Sequence, residues 1–468
     1  MDRTVTAVTG TEPDRVAVGL PPVVGGRLEV PLVTGRRVTY ANLDYAASTP
    51  SLTAVQQAVD RLLPWYSSVH RGAGFASAVS TSAYERARET VRSFTGAAPD
   101  ATVVFTRNTT DALNLLGRAL PAGTTVFRFN TDHHAALLAW RGSRVHRLAR
   151  AATPGDAVVQ LAKALADAPK GPRLVVITGA SNVTGELWPV ADLAEVARIH
   201  GARTVLDAAQ LAGHRPLDLA GWNVDWVALS GHKMYAPFGA GALVGAADWL
   251  DAADPYLAGG GATARVDEEA GGESVAWSGL PHRHEGGSPN VVGVHAMAVA
   301  CRTLAATGWD TVVRHEQALT ARLREGLAAV PGVRVLDLWP DGHPRLGVVS
   351  FSLSRLGDAF ADQRLVATAL SAEHGIGVRD GAFCAHQAVR SLLGDAAGHQ
   401  GDRALRASIG MGTTSEHVER LLAALEDLVR RGPRWSYDRP EDGWRPVPDP
   451  RPLPDLLRGN GNPPVLSE

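Results

Sequence analysis

Strand-length apolar runs alternate with helical segments through the first two thirds of this 468-residue chain. The runs lie at residues 102–105, 124–127, 174–177, 204–206 and 226–229. Helical periodicity occupies residues 83–94, 110–120, 157–166 and 190–199. This alternation predicts an α/β fold with a largely parallel sheet that helices cover on both faces.

Beyond about residue 295 the pattern changes to long amphipathic helices and short strands, which indicates a smaller α+β domain. The helices are predicted at residues 312–330, 363–374 and 415–431, and the strands at 334–336, 347–353, 377–379 and 406–409. We expect four parts, which are an irregular N-terminal extension (1–35), a small domain (36–54 and 296–431), a large domain (55–295) and a C-terminal tail (432–468). The tail carries nine prolines, so we expect little regular structure in it.

Composition narrows the class of protein. A net charge of −2 argues against a dedicated nucleic-acid binder. Two cysteines exclude a disulfide framework and a four-cysteine zinc site, and the sequence predicts no metal site. No uninterrupted apolar run reaches the roughly 18 residues of a membrane span, and the N-terminus does not read as a signal peptide. We therefore expect a cytoplasmic protein without a nucleic-acid or membrane partner.

Polar side chains follow several of the apolar runs, at the strand ends where parallel sheets bind ligands. The turn after residue 105 contains Thr109 and Thr110 and suits either phosphate binding or plain helix capping by one of them. Asn182 and Asp207 follow the third and fourth runs, where turn or cap chemistry is the simplest role for each. Lys233 after the fifth run is unusual, because lysine is almost never fully buried unless it is paired or functional.

Lysine is rare in this chain, which has only Lys163, Lys170 and Lys233 among its 46 basic residues. Lysine forms a Schiff base with an aldehyde, whereas arginine does not. Pyridoxal phosphate needs such a lysine, a phosphate cradle, an anion at its ring nitrogen and a flat group against its ring. The residues that supply these parts are Lys233 for the aldehyde, Thr109 or Thr110 with Ser230 and His232 for the phosphate, Asp207 for the ring nitrogen, and His133 or His134 for the ring face.

Several motifs resemble one enzyme family. The most specific is Val-Ala-Leu-Ser-Gly-His-Lys-Met-Tyr-Ala-Pro at residues 227–237, which Asp-Ala-Ala-Gln precedes at 207–210. Residues 132–135, 181–185 and 285–290 also match. From about Leu43 to Val429 the chain is similar to class V fold-type I pyridoxal-phosphate enzymes, and most of all to the cysteine desulfurase and selenocysteine lyase group.

The resemblance implies a role for each matching residue. For the cofactor ring it implies a Schiff base at Lys233, a ring-nitrogen partner in Asp207, a ring-hydroxyl partner in Gln210 and ring stacking by His133. For the cofactor phosphate it implies binding by Thr110, Ser230 and His232, and a contact from Ser288 to the cofactor of a neighbouring subunit. For the substrate carboxylate it implies binding by Asn182 and Arg406. The family thus implies a homodimer that acts on a small amino acid.

The two cysteines differ in their surroundings. Cys301 lies in an alanine-rich helical segment and is expected to be a core residue. Cys384 and Arg379 lie in residues 377–385, which resemble the desulfurase active-site loop. In such enzymes the cysteine takes sulfur from the substrate as a persulfide and passes it to an acceptor, which would be a protein partner here.

The chain departs from the family near this cysteine. Ala382 and Phe383 replace the histidines that usually precede it, residues 73–75 lack a further histidine, and Ala136 replaces an asparagine. Other class V chemistry without a catalytic cysteine, such as aminotransfer, epimerisation or β-elimination, therefore stays open. A non-catalytic cofactor-binding regulator or scaffold is a third alternative, although Lys233 and Asp207 are retained and residues 1–35 are short for a DNA-binding domain.

Overall fold

The computed structural model describes residues 19–269, 271–339, 342–394, 402–441 and 443–457. Its strands in chain order are β1 (Glu29–Pro31), β2 (Arg37–Thr39), β3 (Ala41–Asn42), β4 (Thr102–Thr106), β5 (Thr125–Phe129), β6 (Arg144–Leu148), β7 (Arg173–Thr178), β8 (Arg203–Asp207), β9 (Trp226–Ser230), β10 (Gly241–Gly245), β11 (Thr263–Glu269), β12 (Gly272–Trp277), β13 (Val333–Leu336), β14 (Val348–Leu353), β15 (Arg355–Leu356), β16 (Ala359–Phe360), β17 (Ile376–Gly377), β18 (Arg379–Gly381), β19 (Ala404–Ser408), β20 (Tyr437–Asp438) and β21 (Arg445–Pro446).

The helices include one at each predicted helical segment and several that the sequence pattern did not predict. They are α1 (Thr53–Leu62), α2 (Phe75–Phe94), α3 (Thr109–Ala119), α4 (His134–Leu138), α5 (Pro154–Ala166), α6 (Val190–Ile199), α7 (Asp248–Ala252), α8 (Val291–Thr307), α9 (Trp309–Ala329), α10 (Gln363–His374), α11 (His386–Leu393) and α12 (Ser415–Arg431).

A seven-stranded sheet in the order β4-β10-β9-β8-β7-β5-β6 forms the larger body of the molecule. Every neighbouring pair is parallel except the two that involve β10, which runs antiparallel to β4 and β9. Successive residues of a strand point to opposite faces, so Val175 and Ile177 enter one core and Leu174 and Val176 enter another. Both faces are therefore buried, and the α/β prediction is confirmed.

A four-stranded sheet in the order β13-β14-β19-β18 forms the smaller α+β body, which also confirms the predicted fold class. Helices α9, α10 and α12 pack on it around a separate core. The early part of the chain joins this body, because β3 pairs in parallel with β17 and both Ala41 and Leu43 lie in its core. The proposed boundaries at residues 54 and 295 stay a prediction, and α8 (Val291–Thr307) runs across the second of them.

Several details differ from the sequence-based expectation. The predicted strand at 377–379 is two short strands, β17 and β18, and β10 was missed because its glycines and alanine resemble a loop. The predicted extension 1–35 includes β1, which pairs with β2, while residues 1–18 lie outside the described residues.

The tail also contains a regular element, the antiparallel pair β20–β21. Proline is tolerated there because Pro446 belongs to a two-stranded edge that needs no hydrogen bond from its nitrogen. The Trp444 indole donates to Asp362 Oδ2 at 3.0 Å, which anchors the tail to the start of α10. Within the described ranges no single helix has the length and apolarity to cross a membrane; the pair α8 and α9 meets that test only jointly and is bent by 83°.

Candidate active site

A cavity of about 420 Å³ opens at the carboxyl edge of the large sheet, where it meets the smaller body. Its lining comes from both bodies and comprises Ala46, Ala47, Ser48, Asn108, Thr109, Thr110, His133, Ala135, Asn182, Asp207, Ala209, Gln210, Ser230, His232, Lys233, Arg379, Phe383, Cys384 and Arg406. The structure thus brings together all the predicted cofactor and substrate residues and Cys384, except Ser288 and His134, the alternative to His133 for the ring face.

Lys233 ends the short 3-10 turn Gly231–Lys233 that follows strand β9. The pKa of Lys233 is lowered to about 8, chiefly by burial; the charge of Asp207 opposes this shift, and the charge of Arg406 contributes to it. A lysine with such a pKa has a substantial neutral fraction near physiological pH, which is the form that attacks a carbonyl carbon.

Asp207 ends strand β8 and is 6% exposed. Its Oδ1 accepts a hydrogen bond from the Ala209 backbone nitrogen at 3.0 Å. Burial raises the pKa of Asp207, and the charge of Lys233 opposes that rise. A cationic ring nitrogen beside this carboxylate would favour its ionised form. Gln210 lines the cavity next to it, with its Nε2 donating to the Ala46 carbonyl at 2.8 Å.

The amino end of helix α3 forms one end of the cavity. Asn108 caps this helix, since its Oδ1 accepts from the Asp111 backbone nitrogen at 3.0 Å. The capping role considered for Thr109 or Thr110 was therefore wrong. The cap leaves Thr109 Oγ1 buried with no hydrogen-bond partner among the described residues. Ser230 Oγ is likewise buried without a partner among those residues. An orphaned hydroxyl at the amino end of helix α3 and another at the end of strand β9 match the donors that a phosphate requires.

His232 and Thr110 complete this end. The His232 carbonyl accepts from the Thr49 backbone nitrogen at 2.8 Å, which fixes the turn that carries Lys233. The His232 ring lies 3.4 Å from Ser48 Oγ, and burial lowers its pKa. Thr110 is exposed to the cavity mouth.

His133 precedes helix α4 and presents a neutral imidazole to the cavity. Its Nδ1 accepts from the Ala135 backbone nitrogen at 3.1 Å, so this nitrogen carries no proton. Burial lowers the pKa of His133 to about 3, and the charge of Lys233 adds to the effect. An uncharged flat ring can stack on a cationic heterocycle without charge repulsion.

Arg406 on strand β19 forms the opposite end of the cavity and is 3% exposed. Its Nη1 donates to the Asn182 carbonyl at 2.9 Å, and its Nη2 donates to Asp44 Oδ1 at 3.2 Å. Its Nε has no partner among the described residues, and its Cζ lies 4.9 Å from the centre of the Phe383 ring. Arg379 faces Arg406 across the β18–β19 pair and is exposed. Guanidinium groups suit a carboxylate ligand.

Cys384 is exposed at the rim of the same cavity. Phe383 and Cys384 both have left-handed backbone conformations, with φ of 52° and 53°. The Asn182 side chain donates to the Phe383 carbonyl at 2.8 Å, and the His134 backbone nitrogen donates to the Cys384 carbonyl at 2.8 Å. Two donors from the larger body therefore hold a strained loop in place.

Cys301 lies in the middle of helix α8 and is 1% exposed. Burial raises the pKa of its thiol to about 12. Its position in the large core confirms the prediction that it is a packing residue.

Ser288 lies outside this cavity. It lines a separate cavity of about 760 Å³, together with His70, His282 and Glu285. His70, Glu85 and His282 hold ligand-type atoms within 4.8 Å of one another, yet the Glu85 carboxylate is already paired with Arg88 at 3.0 Å and with His70 at 2.9 Å. We describe this group as an ion-pair network.

Asp44 is the residue that the sequence did not single out. It lies in the turn after β3, far along the chain from Arg406, and only the fold brings the two together. The available signal was its place between Leu43 and the Tyr45-Ala46-Ala47 run at the start of the family resemblance.

Comparisons with known proteins agree with this geometry. The profile of the family described as aminotransferase class V matches residues 41–421. A probable cysteine desulfurase from Vibrio cholerae is 32% identical over 413 residues, which cover 85% of this chain and 95% of that relative. A cysteine desulfurase from Dickeya dadantii is 32% identical, and the match covers 85% of this chain and 93% of that relative.

Solved structures show the same likeness. The apo cysteine desulfurase from Thermococcus onnurineus NA1 matches with a TM-score of 0.72 and 29% identity, over 84% of this chain and 95% of that one. The Escherichia coli cysteine desulfurase CsdA matches with a TM-score of 0.69 and 28% identity, over 83% and 94% of the two chains. The fold, the cavity and these matches lead to one conclusion: the chain belongs to the aminotransferase class V family of enzymes.

Proposed function

We propose that this enzyme is a pyridoxal-phosphate-dependent cysteine desulfurase, which removes sulfur from a small amino acid and receives it on Cys384. One observation carries the proposal most directly. Cys384 lies exposed at the rim of a cavity that also contains Lys233 and the buried guanidinium of Arg406. A sulfur acceptor, an amine and a carboxylate binder therefore share one chamber, and the relatives named above are described as cysteine desulfurases.

The residues present fit pyridoxal phosphate. The orphaned hydroxyls of Thr109 and Ser230, with Thr110 and His232, would hold its phosphate at the amino end of helix α3. Lys233 would bind it covalently, Asp207 would hold its ring nitrogen protonated, and Gln210 would face its hydroxyl. When bound, the cofactor supplies an electron sink that weakens the bonds at the substrate α-carbon.

The carboxylate end would orient the substrate. Arg406 has an unpartnered Nε, and Arg379 lies across the strand pair from it. A substrate carboxylate bound by these groups points the rest of the amino acid toward Lys233 and His133. Asn182 contributes to the carboxylate-binding end in two ways. Its backbone carbonyl accepts from Arg406 and orients it, and its side-chain amide donates to the loop of Cys384 and holds it.

Cys384 would then take the sulfur. Its thiolate attacks the substrate sulfur, the S–S bond forms, and the carbon–sulfur bond breaks with its electron pair left on carbon. A proton added to that carbon gives alanine, and the enzyme keeps a persulfide. An acceptor protein or an added thiol removes this sulfur, and the exposure of Cys384 makes such access feasible.

We also propose the setting in which the enzyme works. Two cysteines without a disulfide suit the reducing cytoplasm. We further propose a homodimer in which Ser288, which lines a cavity separate from that of Lys233, reaches the cofactor of the neighbouring subunit.

The direct test supplies L-cysteine and a reducing thiol to the purified protein and measures sulfide and alanine. We expect equal amounts of the two products, and at least about a hundredfold loss of sulfide release in Cys384→Ser. Cys301→Ser is the matched control because its thiol is buried in the core, and it should keep the activity per folded molecule.

Equally slow sulfide release by the wild type and Cys384→Ser would overturn the proposal. A screen of other amino acids for spectral change and product then identifies aminotransfer, epimerisation or β-elimination as the chemistry. Cofactor binding without turnover of any amino acid would instead indicate a regulator or scaffold.

A further inference from the structure

The ring of Phe383 lies against the guanidinium of Arg406 inside the cavity that also contains Lys233. Arg406 Cζ is 4.9 Å from the centre of the ring. Both side chains are buried, with 3% of Arg406 and 8% of Phe383 exposed. A cation is attracted to the face of an aromatic ring, and the attraction is strongest where water is excluded. The contact between Phe383 and Arg406 meets that condition.

Asn182 fixes the ring and the guanidinium relative to each other. Its backbone carbonyl accepts a hydrogen bond from Arg406 Nη1 at 2.9 Å, and its side-chain Nδ2 donates to the Phe383 carbonyl at 2.8 Å. Asn182 belongs to the turn that follows strand β7 and is itself buried. One residue of the larger body therefore holds both members of the contact.

The backbone and the packing of Phe383 show that its position is enforced. Its φ of 52° lies in the left-handed region, which is uncommon for a residue with a bulky side chain. Such strain persists only where the surroundings over-determine it, and it is concentrated at binding sites. Phe383 also belongs to a small apolar cluster with Val183, Ala385 and Val389. The apolar cluster and the buried cation together keep the ring in place.

A phenyl ring confines Arg406 without using its hydrogen-bonding capacity. Arg406 Nη2 donates to Asp44 Oδ1 at 3.2 Å, and Arg406 Nε has no partner among the described residues. The ring of Phe383 has no acceptor atom, so it leaves the Nε–H available to a ligand. It also cannot gain a proton, whereas an imidazole at this position could do so and repel the guanidinium. The phenylalanine before Cys384 thus suits a carboxylate-binding arginine.

We propose that Phe383 is a positioning residue for Arg406 and that it sets the affinity of the enzyme for the α-carboxylate of its amino-acid substrate. The inference deepens the proposed function, because it rests on the assignment of Arg406 to the substrate carboxylate. Since the ring acts only through Arg406, it affects amino acids with a free α-carboxylate. It does not affect analogues in which that group is an uncharged amide.

Calorimetric titration of the cofactor-loaded, full-length protein tests this role without sulfur removal. The ligands are L-alanine and L-alaninamide, and the wild type should bind L-alanine at least about tenfold more tightly because only L-alanine has a carboxylate for Arg406. Phe383→Leu keeps an apolar side chain and removes the ring. The Kd for L-alanine should then rise about tenfold, while the Kd for L-alaninamide should change by less than about twofold.

Three further variants make the comparison specific. Phe383→Met is a second substitution that removes the ring, and it should behave like Phe383→Leu. Phe383→Tyr retains the ring and should bind both ligands within about twofold of the wild type. Phe360→Leu makes the same chemical change at an exposed phenylalanine of strand β16, outside the cavity, and should bind both ligands like the wild type.

An unchanged Kd for L-alanine in folded Phe383→Leu and Phe383→Met would overturn the inference. Equal weakening of L-alanine and L-alaninamide would also overturn it, because that result indicates a displaced loop rather than a misplaced guanidinium. A wild type without preference for L-alanine would contradict the inference as well. The titration does not depend on desulfurase chemistry, so a wild type that prefers L-alanine but releases no sulfide from L-cysteine would count against the proposed function alone.

Discussion

The buried guanidinium of Arg406 donates to the carboxylate of Asp44 at 3.2 Å, so the arginine that we propose to bind the substrate has a counter-ion before any substrate arrives. Asp44 is itself three-quarters shielded, and burial raises the pKa of its carboxyl while Arg406 opposes the rise. A substrate carboxylate at the unpartnered Nε would add a second negative charge near the first. Asp44 therefore both stabilises the charge of Arg406 and weakens the attraction of Arg406 for a substrate carboxylate.

Asp44→Asn should separate these two effects. Without the charge of Asp44, the cofactor-free protein should lose about 1–3 kcal/mol of unfolding free energy in urea, the usual cost of disturbing a hydrogen bond to a charged group. Saturating L-alanine should restore more stability to the variant than to the wild type. Asp402→Asn disrupts an exposed pair with Arg390, and its urea unfolding midpoint should stay close to that of the wild type because solvent screens such a pair. Equal unfolding curves for the two variants would contradict the role of Asp44.

Lys233→Ala should abolish covalent cofactor attachment. The wild type should show a visible absorbance band that borohydride traps on residue 233, and the variant should lack the band because no other lysine lines the cavity. Lys163→Ala and Lys170→Ala are controls on the remaining lysines and should keep the band. A folded Lys233→Ala protein that still yields a trapped adduct would refute the assignment.

The rate of cofactor loading should depend on pH through Lys233. Its pKa is lowered to about 8, so the neutral amine dominates above that pH and falls about tenfold for each unit below it. Loading of the cofactor-free protein, followed by absorbance, should rise steeply up to about pH 8 and then level off.

Asp132 provides the control for this profile, since burial raises the pKa of its carboxyl to about 7. Asp132→Asn should leave the inflection near pH 8 in place. An inflection that moves to the ordinary range of an exposed lysine, above about pH 10, would contradict the lowered pKa of Lys233.

Thr109→Val and Ser230→Ala should each weaken cofactor binding without lowering the stability of the cofactor-free protein. Each substitution removes a proposed phosphate donor, so cofactor affinity should fall about tenfold or more, as measured by equilibrium titration. Each also removes a buried hydroxyl that lacks a partner, so the melting temperature of the cofactor-free protein should stay level or rise. Ser80→Ala is the control, because its buried hydroxyl donates to the Trp65 carbonyl at 2.9 Å and its loss should lower the melting temperature. A fall in melting temperature for both site variants would indicate that their hydroxyls serve the fold.

The sequence predicts much of this architecture because the same residues determine strand, core and site. Alternating faces in residues such as Val175 and Leu174 specify a doubly buried sheet, and the polar residues that follow the strands fall at one edge of it. Lys233, Asp207 and His133 could be predicted for this reason. Strand β10 could not, because Gly241 and Gly245 lack the branched side chains that indicate a strand.

Residue contacts that only the tertiary fold creates could not be predicted from the sequence. The capping role of Asn108 was missed because Thr109 and Thr110 are equally good caps by residue type, and only backbone geometry selects among them. The contact of His134 with His386 joins the first residues of helices α4 and α11, which lie far apart in the chain, so no local pattern reports it.

The same long separation has a consequence for how the protein is made. Asp44 and Arg406 are 362 residues apart, and strand β3 likewise pairs with β17, which follows it much later in the chain. At about 5–20 residues per second, a ribosome completes Asp44 tens of seconds before Arg406 emerges. In that interval the nascent chain already contains the turn that we propose to bind phosphate and Lys233, but no partner for its early acidic residue. Translation thus completes the half of the chamber proposed for the cofactor first, and the half proposed for the substrate carboxylate last.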